Sequence, residues 1–235
     1  MRVAFLATDS PHHTYLVWRA AEIAEIALVV LDNPPVQPSF ETAHPYEDEQ
    51  GEYERAVLLD KCPESIAGLG PTFSSPINDS QALQRLVEAK PDLVIDIGTG
   101  IIRSGLIETF GEALLTAHAG NPEEYRGIDA LLWPVYNRDF DKLAISLLAV
   151  DPALDAGAVI KIVGVEPGPD ARLHQLRSLG TLAAAGAIGA AVATMRGLGR
   201  LPRRRQVRAG RYYSWMPASL KGECVHLYEQ HYAAS

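Results

Sequence analysis

Short apolar runs alternate with helical segments across the first two-thirds of the chain. Four of these runs have the length and hydrophobicity of buried strands: residues 3–7, 26–31, 93–97 and 113–117. Residues 15–24 and 81–89 show helical spacing, and Asp79-Ser80 suits the N-cap of the second helix, which Pro91 stops. The alternation predicts an α/β fold in which a Rossmann-like, mostly parallel, twisted sheet carries helices on both faces.

A polar segment interrupts this alternation between the second and third apolar runs. Residues 34–70 contain several prolines and a run of acidic residues, which predicts a loop with one helix near residues 53–59.

The pattern changes again after residue 128. Residues 128–136 have helical spacing, and two apolar runs follow at 143–150 and 158–165. Their short connection predicts an antiparallel hairpin rather than a crossover. A long helix is predicted from about residue 168 to 198, and a short helix in the C-terminal tail.

The composition limits the possible functions. The 235 residues carry a formal net charge of −8, which argues against a nucleic-acid partner. Cys62 and Cys224 are not in metal-ligand spacing and predict reduced thiols in a cytoplasmic protein. Residues 179–198 are rich in Ala and Gly and lack bulky lipid-facing side chains, so we expect a packed helix and no membrane partner.

The turn after the first predicted strand lacks the glycines of a dinucleotide site. Its sequence is Ala7-Thr8-Asp9-Ser10-Pro11, followed by His12-His13. Close approach of a pyrophosphate to the backbone needs glycine at such a turn, so the sequence argues against a dinucleotide cofactor.

Two polar residues point to chemistry, because each follows an apolar, strand-like run. His118 comes directly after one such run, and Asp155 lies in the turn between the two later strands. A His and an Asp at the end of a sheet can exchange a proton or orient one another for transfer chemistry. The pairing predicts an enzyme, and no metal is indicated.

The residues around this pair resemble two motifs of the folate-dependent formyltransferases. His118 to Gly127 resembles their His-x-x-x-x-Pro-x-Tyr-Arg-Gly loop, and Asp151 to Ile160 resembles their second motif. His118 and Asp155 are separated by 37 positions, as in that family. The resemblance covers about residues 1–165 and extends weakly into the tail.

The resemblance implies a catalytic domain over residues 1–200, with residues 201–235 as an extension that packs on it or on a partner subunit. It implies transfer of a formyl group from 10-formyltetrahydrofolate, the co-substrate, to a primary amine. His118, Asp155 and Thr116 are then the catalytic residues. Thr116 departs from the family, which has Asn at this position. An Asn amide can donate to the oxyanion of the tetrahedral intermediate, whereas the Thr hydroxyl is shorter and branched.

The resemblance also implies two binding regions. The folate site is expected at Gly98, Gly100, Ile101, Ile102 and Asp151. The acceptor side is expected at Tyr125 and Arg126, and also at Asp9, His12 and His13, because these three follow the first strand.

Each of these residues also has a purely structural interpretation. His118 and Asp155 could stabilise their own loops, and Thr116 could be an ordinary strand residue. Gly98 and Gly100 could supply only backbone freedom. The other candidates could be solvated loop residues (Asp9, His12, His13) or could hold a loop in place (Tyr125, Arg126).

The acceptor is expected to be a small metabolite, chosen by elimination. Pro11 and the bulky His12-His13 pair replace the phosphate loop expected for glycinamide ribonucleotide, because proline removes an amide donor. The tail is too short for the tRNA-binding barrel of methionyl-tRNA formyltransferases. A nucleotide-linked amino sugar is the first choice, and an amine of secondary metabolism is the second.

Two other functions stay open at this point. A hydrolase would use the same His and Asp with water as acceptor, and a non-catalytic folate-binding protein would account for Thr116 as a decayed site. The aromatic tail could form a homodimer interface.

Overall fold

The computed structural model describes residues 1–34 and 37–232. In chain order, the strands within these residues are Arg2–Ala7 (β1), Glu25–Leu31 (β2), Thr72–Ser74 (β3), Leu93–Asp96 (β4), Leu114–His118 (β5), Tyr125–Gly127 (β6), Ala144–Ala149 (β7), Val159–Gly164 (β8) and Arg211–Tyr213 (β9). The helices are Pro11–Ala21 (α1), Tyr46–Leu58 (α2), Ser80–Ala89 (α3), Ser104–Phe110 (α4), Leu132–Tyr136 (α5), Leu176–Leu198 (α6) and Ala218–Tyr232 (α7). Single 3-10 turns occur at Ile66–Gly68, Gly111–Ala113, Phe140–Lys142 and Leu173–Gln175.

The main sheet has the strand order β3-β2-β1-β4-β5-β7-β8. Neighbouring strands run parallel from β3 to β5, and β7 is antiparallel to both β5 and β8. The mostly parallel sheet and the β7–β8 hairpin are therefore confirmed. The chain winds outward from β1 to β3 and then returns to place β4 on the other side of β1. Such a reversal opens a crevice beyond the carboxyl ends of the two central strands.

Helices cover both faces of the sheet, as the alternation predicts. On one face, apolar residues of α1 and α6 join those of the sheet in the larger core cluster. On the other face, Ala82 and Leu86 of α3 and Leu106 of α4 pack with Leu6 and Val94. Burial on both faces explains why the central strands are continuously hydrophobic in sequence.

The long apolar helix packs against α1, β7 and β8. By length and composition alone, Leu173–Leu198 could cross a membrane, since its most apolar window has a mean hydropathy of 1.5. In the structure, its Gly, Ala, Thr and Ile residues at helical spacing are buried on the protein side. Small side chains let the helix lie close to the sheet, which fits the expectation of a packed helix.

Several predicted boundaries are wrong for local reasons. Helix α1 begins at Pro11 rather than at residue 15, because proline is well suited to the first helical turn. Helix α2 begins earlier than residue 53, and its buried face includes Tyr46, Gln50 and Glu54. Helix α6 begins at Leu176, after a separate 3-10 turn, rather than near residue 168. Only the second half of the predicted helix 128–136 is helical.

Four short strands and helices were not predicted from the sequence: β3, α4, β6 and β9. The last two form a separate parallel pair that joins the loop after His118 to the C-terminal tail. This pair bears directly on the candidate site.

Candidate active site

His118 and Asp155 meet at the carboxyl edge of the sheet. His118 ends β5, and its imidazole Nδ1 lies 3.6 Å from Asp155 Oδ1. Both side chains are less than a tenth exposed. On the other side of the ring, His118 Nε2 lies 2.9 Å from the carbonyl oxygen of Tyr125. A carbonyl only accepts hydrogen bonds, so Nε2 carries a hydrogen and Nδ1 is the nitrogen that can exchange one with a partner.

The carboxylate of Asp155 is aimed at His118 by its own turn and by a neighbouring amide. Asp155 has a φ of +51°, a left-handed conformation that Asp tolerates better than most residues. Its Oδ2 accepts a hydrogen bond of 2.7 Å from the backbone N–H of Gly127. Asp151 lies at the start of the same turn, where its Oδ1 accepts from the Ala153 N–H at 2.9 Å.

The C-terminal tail holds this turn through one side chain. Gln206 Nε2 donates to the carbonyl oxygens of Asp155 and Gly157, at 2.7 and 2.8 Å. Arg126 Nη2 donates in turn to Gln206 Oε1 at 2.6 Å, and Arg126 Nε donates to the Pro122 carbonyl. We call Gln206 and Arg126, with the carbonyls that they bind, the Gln206 clamp. It connects the loop after His118 to the turn that carries Asp155.

Tyr125 and Arg126, predicted on the acceptor side, have side chains engaged within the protein. The Tyr125 hydroxyl donates to Asp139, and its ring stacks on that of Tyr213 with 5.4 Å between centroids. Its carbonyl is the group that orients His118. Both residues therefore support the loop, whatever else they contact.

The predicted folate loop, residues 97–102, follows β4 in the crevice. Asp32 accepts from the Gly100 N–H at 3.1 Å, and Asn78 Nδ2 donates to the Ile101 carbonyl at 2.8 Å. These bonds fix the backbone and leave the Ile101 side chain 67% exposed. Ile102 packs against the core cluster that contains α3 and α4.

Gly98 lies just after β4, where its backbone approaches the first turn of α1. It has a φ of +96°, and a Cβ there would lie 3.1 Å from Nε2 of His13. A larger residue would push on the first turn of α1, so glycine keeps this part of the crevice open.

Of the three residues predicted after β1, Asp9 differs from the two histidines in its exposure. Asp9 is exposed, whereas His12 and His13 lie in the first turn of α1 and are largely buried, so they are not solvated loop residues. His13 Nδ1 lies 2.9 Å from Thr8 Oγ1, and His12 Nδ1 lies 3.6 Å from Glu54 Oε2. Burial lowers the pKa of both histidines, which favours their neutral forms.

Glu54 is the centre of a buried charged group beneath these histidines. It is fully buried and accepts two hydrogen bonds from Arg177, at 2.6 and 2.8 Å. Burial opposes the charged form, but the hydrogen bonds from Arg177, together with the nearby imidazole of His12, hold the Glu54 pKa at about 2. In residues 1–34 and 37–232, no three His, Cys, Asp or Glu side chains are grouped to hold a metal ion.

Asp96, the last residue of β4, is a site residue that was not predicted from the sequence. Its Oδ2 accepts from Thr116 Oγ1 at 2.8 Å, and its Oδ1 accepts from Thr99 Oγ1 at 2.6 Å. Burial raises the pKa of the Asp96 carboxyl; hydrogen bonds from Thr99 and Thr116 oppose this, and the charge of Asp155 adds to it. The signal in the sequence was an acid within the apolar run Leu93-Val94-Ile95-Asp96-Ile97.

Comparisons with known proteins show which proteins share this fold. No family model matches the sequence. A methionyl-tRNA formyltransferase from Finegoldia magna is 25% identical over 101 residues, which are 43% of this chain and 32% of that protein. The chain therefore matches only about a third of the length of this curated relative.

Solved structures match over nearly the whole chain. One is the formyltransferase PseJ from Anoxybacillus kamchatkensis, in complex with UDP-4,6-dideoxy-4-formamido-L-AltNAc and tetrahydrofolate. It has a TM-score of 0.56 and 14% identity, covering 99% of this chain and 94% of that one. Another is a phosphoribosylglycinamide formyltransferase from Anaplasma phagocytophilum, with a TM-score of 0.60 and 16% identity, covering 91% and 98%.

These likenesses show that the chain has the formyltransferase fold. The resemblance drawn from the two sequence motifs is thus confirmed at the level of the fold.

Proposed function

We propose that this protein transfers a formyl group from 10-formyltetrahydrofolate to a primary amine of a small metabolite. The observation that carries the proposal is the placement of His118 Nδ1 3.6 Å from Asp155 Oδ1 at the edge of a sheet with the formyltransferase fold. The separation is longer than a hydrogen bond, which is common in active sites before substrate binds.

The reaction makes one bond and breaks another at the formyl carbon. The amine nitrogen bonds to this carbon and loses a proton, the bond from the carbon to the folate nitrogen breaks, and the folate nitrogen takes up a proton. The formyl oxygen gains negative charge on the way, so a cationic or donor group near it lowers the barrier. With the Nε2 hydrogen held by the Tyr125 carbonyl, the doubly protonated imidazolium form of His118 can present a second hydrogen, on Nδ1, to that oxygen. Asp155 is then placed to take the amine proton, directly or through a water.

The loop after β4 suits the donor. Its backbone is fixed by Asp32 and Asn78, its Gly98 lets the crevice stay open, and Ile101 offers an exposed apolar side chain at the rim. A flat heterocycle needs such a surface, with backbone groups for its polar edge. We propose that Gly98, Gly100, Ile101 and Ile102 hold the donor, with Asp151 at the opposite rim.

The acceptor is proposed to be an amino sugar linked to a nucleotide, with an amine of secondary metabolism as second choice. PseJ, which shares the fold over nearly the whole chain, was crystallised with a UDP-linked formamido sugar. The turn after β1 also lacks the glycines of a phosphate loop. Asp9, His12 and His13 follow β1 on this side of the crevice, and we assign the acceptor to the crevice next to them.

We also place the protein in the cytoplasm, since Cys62 and Cys224 are both free thiols.

The test is to mix the purified protein with 10-formyltetrahydrofolate and a panel of amines that includes nucleotide-linked amino sugars. The matched control for each sugar is its N-acetylated form, in which the amine is blocked. We expect an N-formyl product from at least one free amine and none from its blocked form. Formate release that needs no amine would instead identify a hydrolase, and donor binding without turnover would identify a non-catalytic folate-binding protein.

A further inference from the structure

A buried acid and a hydroxyl stand side by side next to the His118–Asp155 pair. Asp96 and Thr116 are register partners on the neighbouring parallel strands β4 and β5, so their side chains lie on the same face of the sheet. His118 is two residues beyond Thr116 in the same strand and therefore faces the same way. The hydrogen bond from Thr116 Oγ1 to Asp96 Oδ2 is 2.8 Å long.

Thr99 makes the other hydrogen bonds to Asp96, and both of them go to the same carboxylate oxygen. Thr99 directs both its hydroxyl and its backbone N–H at Asp96 Oδ1. This leaves Oδ2 to Thr116 alone among the hydrogen bonds of the described residues. The charged group that raises the pKa of Asp96 is Asp155, a second acid. His118, which pairs with Asp155, is two residues beyond Thr116 in β5. Two neighbouring buried acids favour a state in which one of them is neutral.

The direction of the shared hydrogen decides what Thr116 can do. A hydroxyl has a single hydrogen to donate. If Asp96 is ionised, Thr116 spends this hydrogen on the carboxylate and has none for a substrate. If Asp96 is neutral, its own hydrogen can be donated to Thr116 Oγ1, and the hydroxyl hydrogen is free to turn outward.

We propose that Asp96 and Thr116 act as one donor unit, in which the Asp96 carboxyl hydrogen is donated to Thr116 Oγ1 and the Thr116 hydroxyl hydrogen to the formyl oxygen. Thr116 is the catalytic residue, and Asp96 is a positioning residue that acts through it. The inference rests on the proposed formyl transfer, because it identifies what replaces the family's Asn at position 116. The raised pKa of Asp96 agrees with this arrangement, since it favours the neutral acid.

The test compares four variants by their formyl-transfer rate across a range of pH. Asp96→Asn keeps the shape and carries a permanent donor in place of the acid hydrogen, whereas Asp96→Leu removes the donor. Thr116→Val removes the hydroxyl and keeps the shape. His118→Ala serves as the control for the proposed function itself.

We expect Thr116→Val to lose about a hundredfold in rate, the usual cost of one oxyanion donor. Asp96→Leu should fall to a similar level, and Asp96→Asn should be at least about tenfold faster than Asp96→Leu. The wild type should lose activity as rising pH ionises Asp96, and this decrease in the pH–rate profile should be absent in Asp96→Asn. If Asp96 had only a structural role, its ionisation would not produce this decrease.

The outcomes separate the inference from the proposed function. If His118→Ala is inactive while Asp96→Leu or Thr116→Val turns over like the wild type, the donor unit is wrong and formyl transfer stands. If the wild type has no transfer activity, the carbon-13 NMR signal of the Asp96 carboxyl, assigned by its loss in Asp96→Asn, gives an independent reading. We expect it to titrate above the exposed aspartates, and titration together with them would overturn the inference.

Discussion

The side-chain amide of Gln206 is bonded to the backbone carbonyl of Asp155 at 2.7 Å, although the two residues are 51 positions apart in sequence. The same amide binds the carbonyl of Gly157. The turn that carries the candidate catalytic carboxylate is thus held by the C-terminal tail. We propose that residues 201–216, which the sequence assigned to the extension, take part in the function of the catalytic domain.

Replacing Gln206 by Met keeps the size of the side chain and removes its three hydrogen bonds, to Asp155, Gly157 and Arg126. We expect about a 10- to 100-fold loss of turnover, because a small displacement of Asp155 disturbs proton transfer. The free energy of unfolding should fall by about 1.5–4.5 kcal/mol for the three bonds lost. Gln84→Met is the matched control, since Gln84 lies on the exposed face of α3 and bonds only Glu88 among the described contacts. Equal turnover in both variants would mean that the clamp has no catalytic role.

Replacing Gly127 by Ala should damage both the loop and the Asp155 carboxylate. Gly127 has a φ of +93°, and a Cβ would lie 1.9 Å from the Tyr213 carbonyl oxygen across the β6–β9 pair. We expect a loss of about 2 kcal/mol or more in urea unfolding, together with loss of turnover. Gly111→Ala shares the positive φ but meets open space, so it should cost less, about 1 kcal/mol. Similar costs at the two positions would contradict the packing described here.

Removing the partner of Glu54 should destabilise the protein strongly. Arg177→Met leaves a fully buried carboxylate without its two-point partner, which costs about 3–5 kcal/mol when such pairs are broken. Arg85→Met breaks the exposed pair with Glu88 and should cost at most about 1 kcal/mol.

The contribution of Glu54 should also depend on pH. Its folded pKa of about 2 lies below the ordinary value, so the stabilisation is complete above the unfolded pKa and is lost as pH falls toward 2. Chemical unfolding at neutral and acidic pH measures this, and an unchanged gap between wild type and Arg177→Met at low pH would be inconsistent with it.

The Asp96 carboxyl should make stability depend on pH in the opposite sense. Its folded pKa is raised, so between the unfolded and folded values the native state holds a proton that the unfolded chain has released. Wild-type stability should therefore fall relative to Asp96→Asn as pH rises from about 4 through the folded pKa. Parallel unfolding curves across pH for the two proteins test this, and a constant difference would show that burial does not favour the neutral acid.

Much of the architecture follows from sequence because its signals are local. The continuous apolar runs identified the central strands, and Asp79 caps α3 through a bond to the Gln81 N–H as predicted. The His118–Asp155 pair was predictable because each residue follows a strand-like run and the spacing matches a known motif.

The missed parts depend on contacts that no local pattern records. Asp96 meets Thr116 through the register of two parallel strands that are joined by a helix. Gln206 reaches the Asp155 turn from a tail that has no strong periodicity, and β6 and β9 are three-residue strands whose pairing is entirely non-local. Gln206, a single polar residue in this tail, gave no signal. Asp96 was visible only as an acid at the end of an apolar run, and nothing in the sequence showed its contact with Thr116.

The most direct test of the central claim is a double-mutant cycle on His118 and Asp155, measured as the rate of N-formyl product formation. His118→Ala and Asp155→Ala should each lose most of the turnover while keeping the wild-type fold by circular dichroism. Because the two side chains act as a unit, the double variant should be nearly as slow as the slower single variant. Exposed His226→Ala and Asp141→Ala serve as controls with unchanged rates. Wild-type turnover in either single variant, or two losses that simply multiply in the double variant, would contradict a site built on this pair.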